Sequence, residues 1–311
     1  MTVSSPAPTL ALDAYRGLVS LDTPFTPPAP VSEEERPALS RRLLEHLQED
    51  GTEQRLREEL GASTRLEADE RTWLRALLTV RGPQELPEDF HLAMDRLLQA
   101  ERRMRPEVDP IRLPRLGDVP GTAAAHCAVW QGDITTLAAD AIVNAANAQL
   151  LGCFRPFHAC IDNAIHAAAG PRLREDCARI MSAQGTPEPT GHAKATRAYD
   201  LPARYVLHTV GPIVRGALRP EHEEALAACY RACLDVATRL QGVRSVALCA
   251  ISTGVFGFPK EPAARVALRT VGTWLREHPG ALELVLFNVF GDEDREAYSA
   301  ALRRGALDAH A

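Results

Sequence analysis

After about residue 120, short apolar runs alternate with longer stretches of helical period. The runs SVALCA, at 245–250, and LELVLFNV, at 282–289, contain few polar positions, which is typical of strands buried on both faces of a sheet. This alternation predicts a three-layer α/β domain. The predicted strands are His126–Trp130, Ala141–Asn144, Ala193–Ala198, Tyr205–His208, Ser245–Ala250 and Leu284–Val289, and the predicted helices are His158–Ala169, Pro171–Ser182, Glu221–Gln241, Lys260–Glu277 and Asp292–Arg304.

Before this domain, the positions from Ser32 to about Arg103 follow a helical period. Ser32 is a good N-cap, and three glutamates after it suit the positive end of a helix dipole. Two further helices are predicted over Leu66–Thr79 and Glu88–Arg103. The expected inward positions of the three helices are Leu39, Leu43, Leu44 and Leu47, then Trp73, Leu74, Leu77 and Leu78, then Phe90, Leu92, Met94, Leu97 and Leu98.

This small bundle is either a recognition module or a cap on the α/β domain, and its solvated charged faces favour the cap. Its leucine stripes need a partner surface, so we expect it to pack against the second domain. Residues 1–31 are predicted to be an arm that orders only where Leu10, Leu12, Tyr15 and Leu18 can pack. The proline-rich run RPEVDPIRLPRLGDVPG marks a linker. The predicted organisation is an arm (1–31), a helical region with linker (32–118) and an α/β domain (119–311).

Composition narrows the class of protein. Hydrophobic residues make up 45% and charged residues 24%, as in ordinary soluble proteins, and no apolar run is long enough to span a bilayer. The first residues lack the pattern of a secretory signal, so a cytoplasmic location is expected. The net charge is -6, and the few basic clusters argue against binding a nucleic-acid backbone. Seven cysteines, an odd number, favour metal binding, catalysis or burial over a disulfide framework.

Residues 141–170 concentrate polar side chains next to an apolar strand, which suggests a site because buried polar groups need partners. Asn144 and Asn147 suit ribose hydroxyls, although an Asx-turn is the alternative. Their position before a cysteine/histidine cluster favours the site. Upstream, Asp133 is either an acceptor for an exocyclic amine such as that of adenine, or a turn or N-cap residue.

The segment Ile251–Pro259 is a glycine-containing loop between an apolar strand and a helix. Such loops can turn backbone N–H groups toward a pyrophosphate. The segment lacks the spacing of the Rossmann fingerprint and of the P-loop, which argues against a nicotinamide dehydrogenase or an NTPase. It would also let a chain with only two lysines, Lys194 and Lys260, bind phosphates.

The pattern Cys153-x4-His158-x-Cys160 offers three zinc ligands and leaves a fourth position open, as in catalytic zinc sites. The alternative is two buried cysteines and a capping histidine. Cys177 is the one candidate for a fourth ligand, and an open position is favoured over it. Cys177, Cys229, Cys233 and Cys249 are interpreted as structural because they lie on apolar faces, and Cys127 has no evident partner.

These segments resemble the macrodomain family of ADP-ribose-binding proteins. The resemblance covers roughly residues 126 to 305, and its order and spacing are specific. The run LLGCFRPFHACIDNAIHAAAGPRLREDC further resembles a zinc-dependent subgroup, whose helical N-terminal extension the first region also resembles. The other matching runs are GDITTLAADAIVNAAN, TGHAKATRAYDLPARYVLHTVGP and ALCAISTGVFGFPKEPAARVAL.

The resemblance implies a macrodomain with a mixed central sheet, and it implies roles position by position. Asp133 would hold the adenine amine beside the backbone of Ile134, and Asn147 would contact the distal ribose. The diphosphate would be wrapped by Ser252, Thr253, Gly254, Val255 and Phe256. Phe256 would also cover the distal ribose. The implied zinc ligands are Cys153, His158 and Cys160, and the implied catalytic residues are Asn147 and Asp162.

The implied activity is zinc-dependent hydrolysis of mono-ADP-ribose from protein side chains, which releases ADP-ribose. Two alternatives stay open: a non-catalytic ADP-ribose reader with a structural zinc, and a metal-free hydrolase that uses Asn147 and Asp162. The zinc subgroup is associated with a lipoylated carrier protein modified by a sirtuin-like ADP-ribosyltransferase, although nothing in this sequence itself indicates that partner.

Overall fold

Six strands form one mixed sheet in the computed structural model, which describes residues 9–60 and 69–308. The strands are β1 (Cys127–Gln131), β2 (Ala141–Ala146), β3 (Ala193–Arg197), β4 (Tyr205–Val210), β5 (Ser245–Leu248) and β6 (Leu284–Val289). Their order is β1-β6-β5-β2-β4-β3. All neighbouring pairs are parallel except β3 and β4, which are antiparallel.

Helices cover this sheet on both faces. Every residue of β4, β5 and β6 is buried, which requires cover on each side. The helices are α1 (Leu12–Tyr15), α2 (Arg36–Glu49), α3 (Thr52–Leu60), α4 (Glu70–Val80), α5 (Glu88–Arg103), α6 (Ile161–Ala169), α7 (Pro171–Gln184), α8 (Pro220–Thr238), α9 (Lys260–Glu277) and α10 (Asp292–Arg303). The predicted three-layer α/β fold with a mixed sheet is confirmed. No helix among residues 9–60 and 69–308 is both long and apolar enough to cross a bilayer.

The predicted bounds of β6, α5 and α9 agree with the structure, whereas α6 begins later than predicted. It starts at Ile161 instead of His158, because Cys160 is its N-cap and accepts a hydrogen bond from the Asn163 N–H at 3.5 Å. His158 therefore lies in the preceding loop and not on the helix. Strand β5 also ends earlier, at Leu248, and the chain turns into the loop before Ala250.

In the helical region, the residues that the structure describes form four helices instead of the three predicted. Helix α3 is the additional one, and α2 begins at Arg36, with Pro37 in its first turn. Ser32 lies one turn earlier, where its hydroxyl donates to the Glu35 carboxylate at 2.7 Å. The predicted start of the second helix, 66–68, lies outside the described residues. Buried residues from these helices form a core of their own, but Leu92 was wrongly assigned to it, since it is 49% exposed.

The helical region packs against α7 through polar contacts. Arg172 pairs with Glu88 at 2.8 Å and with buried Asp95 at 3.2 Å. The carboxylate of Glu175 accepts a hydrogen bond from the Leu86 N–H at 3.0 Å. The helices thus contact the α/β domain directly, while the exact boundary near residue 118 stays a prediction.

The N-terminal arm lies along β3, the outer strand of the sheet. The hydroxyl of Tyr15 accepts a hydrogen bond from the Ala195 N–H at 2.8 Å. Thr9 donates to Glu188 at 3.0 Å, and Glu188 forms a fully buried ion pair with Lys194 at 2.8 Å. Of the expected packing positions, Leu12 and Tyr15 are buried and Leu10 is partly buried, whereas Leu18 is 48% exposed.

Candidate active site

A cavity of about 500 Å³ lies beyond the carboxyl ends of β2, β5 and β6. This volume is within the usual range of small-molecule sites, and the edge is where open α/β sheets bind ligands. Its wall is formed by the loop before α6, the loop after β5, and the end of β6 with the residues that follow it. The lining side chains used below are Asn147, Cys153, Phe154, His158, Cys160, Asp162, Asn288, Phe290 and Asp294, together with the residues 252–256.

The loop after β5 forms the wall predicted to bind phosphates. Ser252 has a left-handed backbone, with φ of 66°, and its carbonyl accepts a hydrogen bond from the Phe258 N–H at 3.0 Å. The carbonyl of Phe256 accepts from the Val214 N–H at 2.8 Å, which ties the loop to the segment after β4. The loop leads into α9 at Lys260. This places a tight turn on the cavity wall and the N-terminus of a long helix a few residues beyond it, a combination suited to anions.

The two asparagines of the predicted site have different positions. Asn147 lines the cavity, and its side-chain oxygen accepts from the Gln149 N–H at 3.0 Å, as in an Asx-turn. Its amide also donates to the Gly152 carbonyl at 2.9 Å, which leaves one amide hydrogen for a ligand. Asn144 lies within β2 and is fully buried, so it is not placed to contact ribose. Instead it donates to the Asp162 carboxylate at 2.7 Å.

Asp162 combines burial with access to the cavity. It is the second residue of α6, it is buried, and it lines the cavity wall. Burial raises the pKa of its carboxyl to about 6, and the hydrogen bond from Asn144 and the charge of Arg174 oppose this rise. Its position and its raised pKa both suit the predicted role in proton transfer or orientation, which stays a prediction.

Cys153, His158 and Cys160 come together in the loop that precedes α6. Their ligand atoms all lie within 4.8 Å of one another, and all three residues are half-buried. The Cys153 Sγ to His158 Nδ1 distance is 3.4 Å. Tetrahedral zinc with its usual bond lengths places sulfur and nitrogen ligands about 3.6 Å apart, so these donors fit the metal.

The protein environment alone does not favour a free thiolate at Cys160. Burial raises the pKa of its thiol to about 11, and the charges of Cys153 and Asp162 add to this effect. A bound divalent cation reverses this balance because it stabilises coordinated thiolates directly. Next to these ligands, Phe157 has a left-handed backbone with φ of 61°, a strained conformation of the kind that clusters at functional sites.

A second cysteine/histidine group lies in the interior. His166, Cys177 and His208 are fully buried, and their ligand atoms also lie within 4.8 Å of one another. Cys177 Sγ is 3.7 Å from His208 Nε2, which also lies 2.9 Å from the Thr196 hydroxyl. Cys177 therefore belongs to this interior group and not to the loop group, for which it was the sequence candidate for a fourth ligand.

Asp133 lies outside the lining of the cavity. Its carboxylate caps the turn over Ile134–Thr136 by accepting from the Thr135 N–H at 2.9 Å, and it also pairs with Arg105 at 3.3 Å. Its contacts are therefore those of a turn or N-cap residue, which was the alternative interpretation from the sequence. The side chain is still 44% exposed, so it remains accessible to a ligand.

Sequence reasoning missed the cavity residues at the end of β6 and just beyond it. Asn288, Phe290 and Asp294 all line the cavity, and Phe290 is 78% exposed. Asn288 also donates to the Gly132 carbonyl at 2.9 Å, which connects this wall to the Asp133 turn. An available signal was the position of Phe290 directly after a predicted strand, at the sheet edge where the other site segments also lie.

The sheet and the cavity at its carboxyl edge define an α/β ligand-binding domain. A family model for the macro domain matches residues 143–267. The chain is 46% identical to a protein-ADP-ribose hydrolase of Treponema medium, over 75% of this chain and 87% of the relative. A protein-ADP-ribose hydrolase of Staphylococcus aureus is 43% identical, over 75% and 84%. The chain therefore belongs to the macrodomain family.

Solved structures agree with this assignment. The Trypanosoma brucei macrodomain in complex with ADP-ribose superposes with a TM-score of 0.57 at 33% identity. The match covers 76% of this chain and 97% of that chain.

Proposed function

We propose that this protein is a zinc-dependent hydrolase that removes mono-ADP-ribose from modified protein side chains and releases ADP-ribose. Hydrolysis of protein-linked ADP-ribose is supported by relatives named for that activity over most of this chain. The observation that carries the zinc-dependent form is the shared wall of the cavity, where Cys153, His158 and Cys160 lie together with Asp162.

ADP-ribose would extend across the cavity from the Asp133 turn to the loop before α6. Residues 252–256 would contact the diphosphate, and the remaining amide hydrogen of Asn147 would reach the distal ribose. Phe290, which lines the cavity and is exposed, would offer the ligand an apolar surface. Asp133 would accept a hydrogen bond from the adenine amine in competition with Arg105.

The reaction cleaves a glycosidic bond between the distal ribose and a protein side chain. Cys153, His158 and Cys160 would hold the zinc, which supplies Lewis acidity toward oxygen at its open coordination position. Asp162 would orient the attacking water or accept its proton, a role typical of buried carboxylates whose pKa lies near neutral pH. Asn144 keeps the Asp162 carboxylate in place through a hydrogen bond of 2.7 Å.

The direct test combines metal analysis with turnover. Purified full-length protein is incubated with proteins that carry mono-ADP-ribose on defined residues, with and without chelator, and its zinc content is measured. We expect zinc in the protein, release of ADP-ribose, loss of release with chelator and recovery on adding zinc. Full activity in protein that contains no zinc would instead identify a metal-free hydrolase, and binding without release would identify a reader.

The same experiment identifies the modified side chain, because each substrate carries the modification at one residue. The lipoylated carrier protein and the sirtuin-like ADP-ribosyltransferase are further proposed partners, supported by the resemblance to the zinc subgroup alone. A carrier modified by such a transferase therefore belongs among the substrates tested. The cytoplasmic location stays a prediction from sequence.

A further inference from the structure

Arg174 connects the helical region to the wall of the cavity. Its side chain projects from α7, and the residue is only 8% exposed. Its Nη1 donates to the carbonyl oxygens of Leu78 at 2.7 Å, Thr79 at 3.3 Å and Arg81 at 2.7 Å. These carbonyls belong to the last turn of α4 and its C-cap, where no intrahelical donors remain. A side chain from the α/β domain therefore caps a helix of the helical region.

The same guanidinium contacts the loop that carries the metal-ligand candidates. Its carbon lies 4.8 Å from the ring centre of Phe154, a cation–π distance, and Phe154 directly follows Cys153. A Cβ built on Gly152 would lie 3.2 Å from Nη2 of Arg174, so the loop backbone also packs against this group. Arg174 thus touches α4 and the Gly152–Phe154 segment at the same time.

Arg174 has no ion-pair partner among residues 9–60 and 69–308. Burial lowers its pKa to about 10, so it stays protonated at neutral pH, and the charge of Asp162 favours that form. Burying an arginine whose hydrogen bonds go only to neutral carbonyl oxygens costs free energy. Those oxygens offset the lost hydration of the charge less than a paired carboxylate would. Arg174 is hydrogen-bonded to α4 and lies near Asp162 and Phe154. Its unfavourable burial is therefore explained if the side chain positions residues of the site.

We propose that Arg174 is a positioning residue through which the helical region holds the Gly152–Phe154 segment, and with it Cys153, in the arrangement needed for catalysis. The helical region is then part of the catalytic apparatus and not only a cap. Without the carbonyls of α4, the guanidinium would lose its anchor, and Phe154 would lose the flat surface against which it packs. This inference rests on the proposed hydrolase function.

The chain offers a matched control two residues away. Arg172 also projects from α7 and pairs with Glu88 and Asp95 of the helical region. None of its described contacts reaches the loop before α6. Arg172→Ala therefore weakens the interface without touching Phe154. The conservative variant Arg174→Lys keeps the charge and a donor for the carbonyls of α4, but an ammonium lacks the flat face that stacks on an aromatic ring.

The test compares Arg174→Lys, Arg172→Ala and Phe154→Leu in the full chain. Zinc affinity is measured by chelator competition, and kcat and KM are measured on a mono-ADP-ribosylated protein. We expect Arg174→Lys to lower kcat about 10- to 100-fold and to weaken zinc binding, because small displacements in a site reduce rates strongly. In Arg174→Lys, KM should change by less than about threefold. Arg172→Ala should change neither kcat nor zinc affinity by more than about twofold, because Arg172 is not coupled to the loop.

The double variant Arg174→Lys/Phe154→Leu shows whether the two side chains act together. Non-additive effects on the unfolding equilibrium constant would support the contact, since residues in contact couple. Additive effects, or equal loss of kcat in Arg172→Ala and Arg174→Lys, would overturn the proposal. If wild-type protein showed no hydrolysis, the proposed function would fail. The coupling between Arg174 and Phe154 in unfolding would still decide whether the guanidinium fixes the loop.

Discussion

The two cysteine/histidine groups contain the same kinds of ligand atoms but lie in different surroundings. Cys153, His158 and Cys160 are half-buried, lie in a loop and line the cavity. His166, Cys177 and His208 are fully buried on two helices and a strand. A close set of ligand atoms is therefore not enough to identify a functional metal site.

Access and existing hydrogen bonds separate the two groups. His208 already has Asn144 at 3.2 Å and Thr196 at 2.9 Å, so its ring nitrogens are occupied within the core. His166 is the exception: neither of its ring nitrogens forms a hydrogen bond among the described residues, although its Nε2 lies 3.5 Å from the Asp162 carboxylate. We interpret the interior group as part of the support behind Asp162, and the loop group as the metal site.

The largest expected difference between the two groups is in metal content. Cys160→Ala should remove the zinc and reduce hydrolysis at least about 100-fold, since it removes one of three ligands. Cys177→Ala should keep one zinc per chain and most of the activity. Elemental analysis and a hydrolysis assay on the same preparations measure both. Two metal ions per wild-type chain, with one lost in Cys177→Ala, would show that the interior group also binds metal and would contradict the distinction between the two groups.

The next effect concerns the carboxylate that lies between the two groups. Asp162→Asn should keep zinc and bind ADP-ribose, because the amide can still accept a hydrogen bond from Asn144. Hydrolysis should fall about 10²- to 10⁴-fold if Asp162 transfers a proton. The rate of ADP-ribose release by zinc-loaded variant protein measures this. An unchanged rate would assign the proton transfer to another group.

Removing a member of the interior group should reduce stability and leave the metal in place. His208→Ala leaves a cavity and takes away partners of Asn144 and Thr196, and each buried polar group left unpaired costs about 1–3 kcal/mol. A decrease of about 2–5 kcal/mol in the free energy of unfolding is expected. Urea denaturation measures it, and zinc content serves as the control. Loss of zinc from well-folded variant would contradict the structural interpretation.

The smallest effect, counted per pH unit, is a dependence of stability on pH. Burial lowers the pKa of His208 to about 3, whereas an unfolded histidine titrates near 6.5. Between these values the unfolded chain binds a proton that the folded chain does not. The contribution of His208 is therefore fully present above pH 6.5 and is lost as pH falls toward 3, by up to about 1.4 kcal/mol per pH unit.

His208→Asn should lower the slope of the unfolding free energy against pH in that range by about 1.4 kcal/mol per pH unit. This corresponds to one proton fewer taken up on unfolding. Denaturation of wild type and variant at several pH values between roughly 4 and 7 measures the slope. Equal slopes would show that His208 is protonated in the folded protein, as it would be if the interior were open to water.

Local patterns predicted the sheet and the loop group, but not the contacts between distant residues. The apolar runs marked β5 and β6, and Cys153 to Cys160 are close because they lie within one loop. Asn144 was assigned to ribose, whereas it lies within the sheet opposite His208. That pairing depends on the register of β2 against β4, which the local sequence does not reveal. Arg174 likewise appeared as one of many helix arginines, because its partners in α4 lie more than ninety residues earlier.

The arm along β3 has a consequence for how the molecule behaves in a crowded solution. An outer strand with free N–H groups is a template on which another chain can add a strand. The Tyr15 hydroxyl accepts from the Ala195 N–H there, and Thr9 covers the ion pair of Lys194 and Glu188. We therefore expect the arm to hinder the addition of a further strand at this edge. A variant that lacks the arm through Tyr15 should self-associate more readily, even with its cavity intact.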